Sequence, residues 1–389
     1  MNLKKQRGAI ASINHCYAKL IGLSQSLVYA IKYRKLMKMA DKKDYKPTKE
    51  EIKAYKKRWS GLGYWVDPIY YRIFSNYVKP DVDFVPEDIS HNVIETLLDP
   101  PLYRGFFSDK NMFDKVLAAL PGVCPKTLFR KIGGFYYDAN YQHLSGANDN
   151  LLYSFLVNEN RVIVKPTIDT SSGNGIHFFE KREEKWFDVQ SNQPLTLALL
   201  DELLGEDFII QEVMSQSTFM SQFNPSSINT LRLFTYRSVK DNRVHVLNAI
   251  MRIGRTGSLV DNAHQGGATI GINIETGELN HFMVDQDAKY FTEHNGIDFA
   301  KEKFVIPDWQ SIKEFAKKIG EAHVYHRCLN MDIMIDETGN PRLIEYNLTQ
   351  MSVWLFQFNN SSCYGEFTDE VIEYCRQHKH EVKSEYLLL

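Results

Sequence analysis

The side chains best equipped for chemistry lie near the C-terminal end, in Met331-Asp-Ile-Met-Ile-Asp-Glu-Thr-Gly-Asn-Pro-Arg-Leu-Ile-Glu-Tyr-Asn347. Two alternating apolar runs, 331–335 and 342–346, flank the turn-forming Glu337-Thr-Gly-Asn-Pro341, so the stretch reads as a β-hairpin. Alternate strand residues share a face, which projects Glu345 and Asn347 together, and Asp332 on the partner strand can come opposite them. Two carboxylates and an amide oxygen make a hard, all-oxygen donor set, suited to Mg²⁺ or Mn²⁺ carrying nucleotide phosphates rather than to zinc. A solvated hairpin with polar ends would carry the same residues, so the stretches upstream must decide.

Those stretches supply cations and flexible loops. Lys110 follows the capping candidates Ser108 and Asp109 in the first turn of an expected helix, where a cation is unfavourable unless an anion is present. Lys165 ends the β-branched run Arg161-Val-Ile-Val-Lys165, and Ser171, Ser172, Gly173, Asn174 and Gly175 follow as a loop whose backbone N–H groups can fold over phosphate oxygens. The run is neither a P-loop nor a Rossmann fingerprint, because no helix follows it and the spacing differs. Asp207–Met214 reads as a strand that can present Gln211, Glu212 and the backbone of Val213 to an adenine edge. Asn229 and Arg232 open a further strand, and Asn262, Gly266 and Gly267 sit in a second flexible loop before the hairpin 270–278. A buried Arg232 needs a counter-anion, either a phosphate or a carboxylate such as Glu212 or Glu345.

The elements that must position these residues belong to a folded globular chain of 389 residues, 43% hydrophobic and 24% charged, long enough for two or three domains. A formal net charge of −2 argues against bulk nucleic-acid binding. Cysteines 16, 124, 328, 363 and 375 form no C-x-x-C pair and read as reduced thiols of a cytoplasmic protein. Lys4-Lys-Gln-Arg7 is basic, but His15 and Lys19 interrupt the apolar region a signal peptide needs. Residues 1–105 read as mainly helical: Leu20, Leu23, Leu27, Ile31 and Leu36 recur at roughly helical spacing, and Thr48-Lys-Glu-Glu51 has capping-box form. Basic residues exceed acidic ones from Lys32 to Arg58. That excess reads either as a solvated helical face or as a contact for anionic lipid or a lipid-linked phosphosugar through residues 19–58. Pro100-Pro101 marks the boundary after the helical region.

The order of these features, together with Val164-Lys-Pro166, Asn229-Thr-Leu-Arg232, Asp261-Asn262 with Gly266-Gly267, and Asp332 spaced before Ile344-Glu-Tyr-Asn347, resembles the ATP-grasp superfamily over roughly 106–360. Within it, the chain looks most like the sugar-transfer-associated, α-L-glutamate-ligase-related group. The resemblance implies an α+β fold in which two subdomains, 106–210 and 211–389, clasp ATP after the helical region. It implies that Lys110, Lys165 and residues 171–175 hold the phosphates, that Gln211, Glu212 and Val213 hold adenine, and that Asp332, Glu345 and Asn347 hold Mg²⁺. Asn229, Asn262, Gly266 and Gly267 would face the substrate. In the D-alanine ligase branch an arginine stands where this chain has Asn330, so Arg232 or Arg252 would supply that charge, with Lys165, during catalysis. The implied activity joins small-molecule carboxylate and amine substrates through an acyl phosphate. An amino acid and a sugar acid, or two amino acids, are the pairs expected in surface-polysaccharide or related biosynthesis. A kinase acting on a hydroxyl and a non-catalytic nucleotide-binding scaffold are the alternatives.

Overall fold

A computed structural model describes residues 3–168, 175–257 and 266–381, with side chains of the first helix described from residue 16 onward apart from residue 18. The candidate residues Ser171, Ser172, Gly173, Asn174 and Asn262 lie outside the described residues. The N-terminal region is helical, with α1 (Leu3–Met39), α2 (Lys49–Trp59) and α3 (Ile69–Phe74) followed by short helical turns as far as Val116. The expected capping box forms at α2: Thr48 Oγ1 accepts from Glu51 N, and the Glu51 carboxylate accepts from Thr48 N at 2.7 Å. Among the described residues no helix is long and apolar enough to cross a membrane.

Two antiparallel sheets follow. The first contains β1 (Thr127–Ile132), β2 (Phe135–Asp138), β3 (Arg161–Pro166), β4 (His177–Arg182), β5 (Lys185–Asp188) and β6 (Phe208–Glu212), in the order β2-β1-β6-β3-β4-β5. The second contains β7 (Thr230–Arg237), β8 (Val244–Ile253), β9 (Ala268–Ile272), β10 (Leu279–Val284) and β11 (Tyr290–Phe291). After the small ribbon of β12 (Glu293–His294) and β13 (Ile297–Asp298), the chain returns to it with β14 (Cys328–Ile335) and β15 (Pro341–Asn347), giving β11-β10-β9-β8-β7-β14-β15.

Alternation along the strands divides the second sheet between two cores. Leu231, Leu233, Met331 and Ile333 face the layer that holds helix Trp309–Ala322. Phe234, Tyr236 and Ile250 face the layer built from the N-terminal helices and helix Val353–Asn359. The N-terminal region therefore shares a core with the second sheet. Tyr33, Tyr55, Trp59, Tyr70 and Phe74 are buried in that shared core.

The helix expected from the spacing of Leu20, Leu23, Leu27, Ile31 and Leu36 forms, with Leu36 packed against the shared core. Leu20, Leu23, Leu27 and Ile31 lie on the exposed side of α1, while Gly22, Ser26, Ala30 and Tyr33 face inward. Small residues take the inner face because the neighbouring segments come close. A Cβ added at Gly22 would lie 2.9 Å from the Tyr64 ring.

Candidate functional site at the meeting of the two sheets

The hairpin forms as its alternation predicts, and its register sets the site. Asp332 pairs with Glu345 and Asn330 with Asn347 across β14 and β15, with a bulge after Asp332. On the other side Asp332 pairs with Arg232 of β7, while Thr230 of β7 pairs with Arg252 of β8. Adjacent strands thus bring Glu345, Asp332 and Arg232 into one row, with Arg252 reaching it diagonally from two positions along β8.

Asp332 is the buried centre of that row, its side chain 2% exposed. Arg232 grips it with a fork, Nε to Oδ1 at 2.7 Å and Nη2 to Oδ2 at 2.6 Å, and Arg252 Nη1 donates to Oδ2 at 2.9 Å. Burial would raise this carboxyl, but the two guanidiniums hold it below its ordinary value. The counter-anion of Arg232 is therefore Asp332, and neither Glu212 nor Glu345 takes that place. The Asn347 amide donates to Asn330 O at 3.3 Å, and the Asn330 amide donates to Met351 O.

Segment 107–111 ties both sheets to this row. The Tyr346 hydroxyl donates to Phe107 O at 2.6 Å on the hairpin side. Lys110 N donates to Thr167 O at 3.1 Å just beyond β3, and Asn111 Nδ2 donates to Lys131 O at 2.9 Å on β1. The expected helix here is instead a 3₁₀ turn, Lys110–Met112, capped by Asp109, running into a single turn, Phe113–Val116. Its effect is to carry Lys110 Nζ to 3.4 Å from Glu345 Oε2.

Lys165 lies buried on the first sheet close to that contact, its ammonium making no hydrogen bond or ion pair with a described side chain. Burial and the nearby Lys110 lower its ammonium to about 8, against the opposing pull of Glu345 and Cys124. Two lysines and two arginines thus gather around two carboxylates. This excess of positive charge favours a polyanion.

The remaining candidates divide into those near the row and those turned inward. Gly175 adopts φ +74° against Pro166, at the described edge of the loop after Lys165. Gly266 (φ +85°) and Gly267 lead into β9, whose Thr269 pairs with Arg252. Gln211 is buried, its amide donating to Pro125 O at 3.2 Å and Thr127 Oγ1 at 3.4 Å. Glu212 accepts from Lys126 N at 2.7 Å, and Val213 follows it out of the sheet. Asn229 uses its amide nitrogen on Met220 O and Asn224 O, at 2.9 and 3.0 Å, closing the turn before β7.

A cleft of about 530 Å³ opens beside Glu212, lined also by Cys124, Lys126, Thr127 and Arg342. Its other walls are Asp114 and the apolar side chains of segment 117–123. Sequence reasoning missed Cys124, Lys126 and Arg342, because an isolated residue in a connecting segment has no periodic signal. It also missed Arg130, a fully buried guanidinium bound to Asp114 at 2.6 Å and stacked on Tyr141 at 4.0 Å.

The donors Asp332, Glu345 and Asn347 offer oxygen and neither thiolate nor imidazole, which fits a hard divalent cation. Among the described residues no cluster of three or more His, Cys, Asp or Glu side chains offers another metal site.

The model of a family described as sugar-transfer-associated ATP-grasp matches residues 107–371. Comparison with curated proteins finds no match. Among solved structures, the ATP-grasp ligase PsnB, complexed with a phosphomimetic variant of its minimal precursor, Mg and ADP, is similar at TM-score 0.39 and 13% identity, covering 72% of this chain and 61% of that one. D-alanine–D-alanine ligase from Bacillus anthracis is similar at TM-score 0.37 and 14% identity, covering 71% and 70%. D-cycloserine synthetase DcsG is similar at TM-score 0.39 and 14% identity, covering 72% and 73%. The chain thus spans less than two thirds of the length of the PsnB chain.

Proposed function

Because the chain belongs to the sugar-transfer-associated ATP-grasp family over residues 107–371, we propose that it is an ATP-dependent carboxylate–amine ligase with its site where the two sheets meet. ATP phosphorylates a substrate carboxylate, an amine attacks the resulting acyl phosphate, and ADP, phosphate and an amide leave. The observation that carries this reading is the gathering of Lys110, Lys165, Arg232 and Arg252 around Asp332 and Glu345. Adenine is assigned to the cleft beside Glu212, whose volume suits a nucleobase with its neighbouring sugar.

Asp332, Glu345 and Asn347 would hold Mg²⁺, with Mn²⁺ as a substitute, and the ion would supply charge neutralisation at the phosphates. Lys165, desolvated and with no anion in contact among the described residues, regains a full positive charge when phosphate oxygens reach it. Lys110 leaves Glu345 for the same oxygens. Arg232 and Arg252, held in place by Asp332, present guanidinium charge to the oxygens of the transferring group. Residues 106–210 and 211–389 would form the two halves of the clasp. The substrates assigned are an amino acid joined to a sugar acid or to a second amino acid.

The test surveys a panel of amino acids and sugar acids for ADP release with hydroxylamine as the amine. A hydroxamate supports the ligase. Phosphate transfer to a hydroxyl without hydroxamate makes the chain a kinase, and no turnover with any carboxylate makes it a scaffold.

A further inference from the structure

The first helix has an outer face that the fold does not use. Tyr17, Leu20, Leu23, Leu27, Val28 and Ile31 are between 38% and 66% exposed. Leu20, Leu27 and Ile31 are spaced along one line of α1, and the same line continues by four and seven residues into the exposed Lys35 and Lys38. A soluble helix normally turns such a stripe inward. Here the inner positions belong to Gly22, Ser26, Ala30 and Tyr33, whose ring is fully buried against Tyr70 and Phe74. The inner face is therefore fixed, and α1 cannot roll over to bury its leucines.

Charge identifies what covers the outer face. Residues 1–40 contain eight Lys or Arg and no Asp or Glu. The whole chain carries 46 Lys and Arg against 48 Asp and Glu, so residues 41 onward hold 38 against 48, a net of −10. Lys32 and Arg34 pair with Glu87 and Asp67, but a second copy seated on this face would still bring a helix of the same positive charge against the exposed Lys35 and Lys38. Nucleic acid would meet, apart from Tyr17, aliphatic side chains that neither stack nor hydrogen-bond. A surface apolar below and negative above answers both halves of the stripe.

We propose that the outer face of α1 lies in the interface of an anionic lipid bilayer, with Leu20, Leu27 and Ile31 inserted at the acyl boundary and Lys35 and Lys38 at the headgroups. In this arrangement α1 lies along the membrane surface. This reading is independent of the ligase reaction, because α1 contributes no residue to the site.

The test is co-sedimentation of the full chain with vesicles of phosphatidylcholine and phosphatidylglycerol in equal parts, against vesicles of phosphatidylcholine alone. Binding is expected only to the mixed vesicles, falling as salt is raised. The triple variant Leu20→Ser, Leu27→Ser, Ile31→Ser should lose at least tenfold in partition. Lys35→Gln and Lys38→Gln should each lose about fivefold, the factor equivalent to ~1 kcal/mol per charge at a membrane surface. The substituted side chains are exposed, and circular dichroism checks that the helix persists. If the triple variant unfolds, the two lysine variants carry the test alone. Wild-type protein left in the supernatant, equal binding to both vesicles, or unchanged binding by folded variants overturns the proposal. So does a vesicle-free dimer that the apolar substitutions dissolve, since the face would then belong to a second copy.

Discussion

Replacing Asp332 by asparagine tests whether the row of charges is held together as described. The side chain is 2% exposed and accepts three charge-assisted hydrogen bonds, two from Arg232 and one from Arg252. Asparagine keeps the shape and one acceptor, but it turns an amide NH₂ toward a guanidinium and removes the counter-charge. Each charge-assisted bond contributes about 1.5–3 kcal/mol, and breaking a buried ion pair on one side costs roughly 3–5 kcal/mol. The arginine side chains keep 13% and 16% exposure, so water relieves part of the penalty and about 3 kcal/mol is expected. Glu345→Gln should cost only about 0–1 kcal/mol, because Glu345 is 32% exposed and meets Lys110 at 3.4 Å. Urea unfolding at constant slope reads both values. Adding Arg232→Gln to Asp332→Asn should recover about 1 kcal/mol, since the second change removes one of the two cations left facing the amide. The carboxyl lies below its ordinary value in the folded chain, so its contribution is complete above the unfolded pKa of about 3.9. It is lost as pH falls through the folded value, and the difference between wild type and variant should shrink on acidification. An Asp332→Asn variant within about 0.5 kcal/mol of wild type would refute the ionic row.

Three further outcomes follow from single residues. Lys165 has a folded pKa of about 8 against roughly 10.4 when unfolded, so the unfolded chain binds more protons between those values. Stability should therefore rise with pH across that window in wild type, and Lys165→Met should remove the rise in a pH series of urea midpoints. His91 shifts the other way: burial opposes its charge, yet Glu95 and Glu87 beside it raise the imidazole to about 10. Its contribution is full below an unfolded pKa of about 6.5 and is lost as pH rises through the folded value, so His91→Leu should destabilise most at pH 6 and least above pH 10. Gly271→Ala on β9 would drive a methyl group into Asn360 and Asn280 and to 2.6 Å from Asn359 O, a backbone atom that cannot swing aside. About 1–3 kcal/mol or more of thermal stability should be lost, and an unchanged melting temperature would contradict this close approach.

The parts of the fold that were legible in the sequence are those set by local chemistry. The hairpin at 331–347 follows from two apolar runs around a Gly-Asn-Pro turn, and the cap at Thr48 follows from its partner three residues on. The strands carrying Lys165, Gln211 and Arg232 were visible in their β-branched and alternating runs. What stayed hidden depends on pairing between distant segments. Arg232 and Asp332 stand 100 residues apart, and their contact requires β7 to pair with β14 in one particular register. The bridging work of Phe107, Lys110 and Asn111 runs through backbone atoms, which no side-chain pattern announces. The face of α1 is hidden for another reason: spacing reports that a stripe exists, but the packing of Gly22 against Tyr64 and of Tyr33 in the core sets which way it points.

The most direct test of the reaction follows the carboxylate oxygen. Once the panel identifies a carboxylate that stimulates ADP release, that compound is labelled with ¹⁸O in both carboxyl oxygens and turned over with unlabelled ATP and an amine. An acyl phosphate hands one substrate oxygen to the departing phosphate, so inorganic phosphate should carry a single ¹⁸O and the amide should keep the other. Unlabelled phosphate, with both labels retained in the carboxylate, would contradict carboxylate activation.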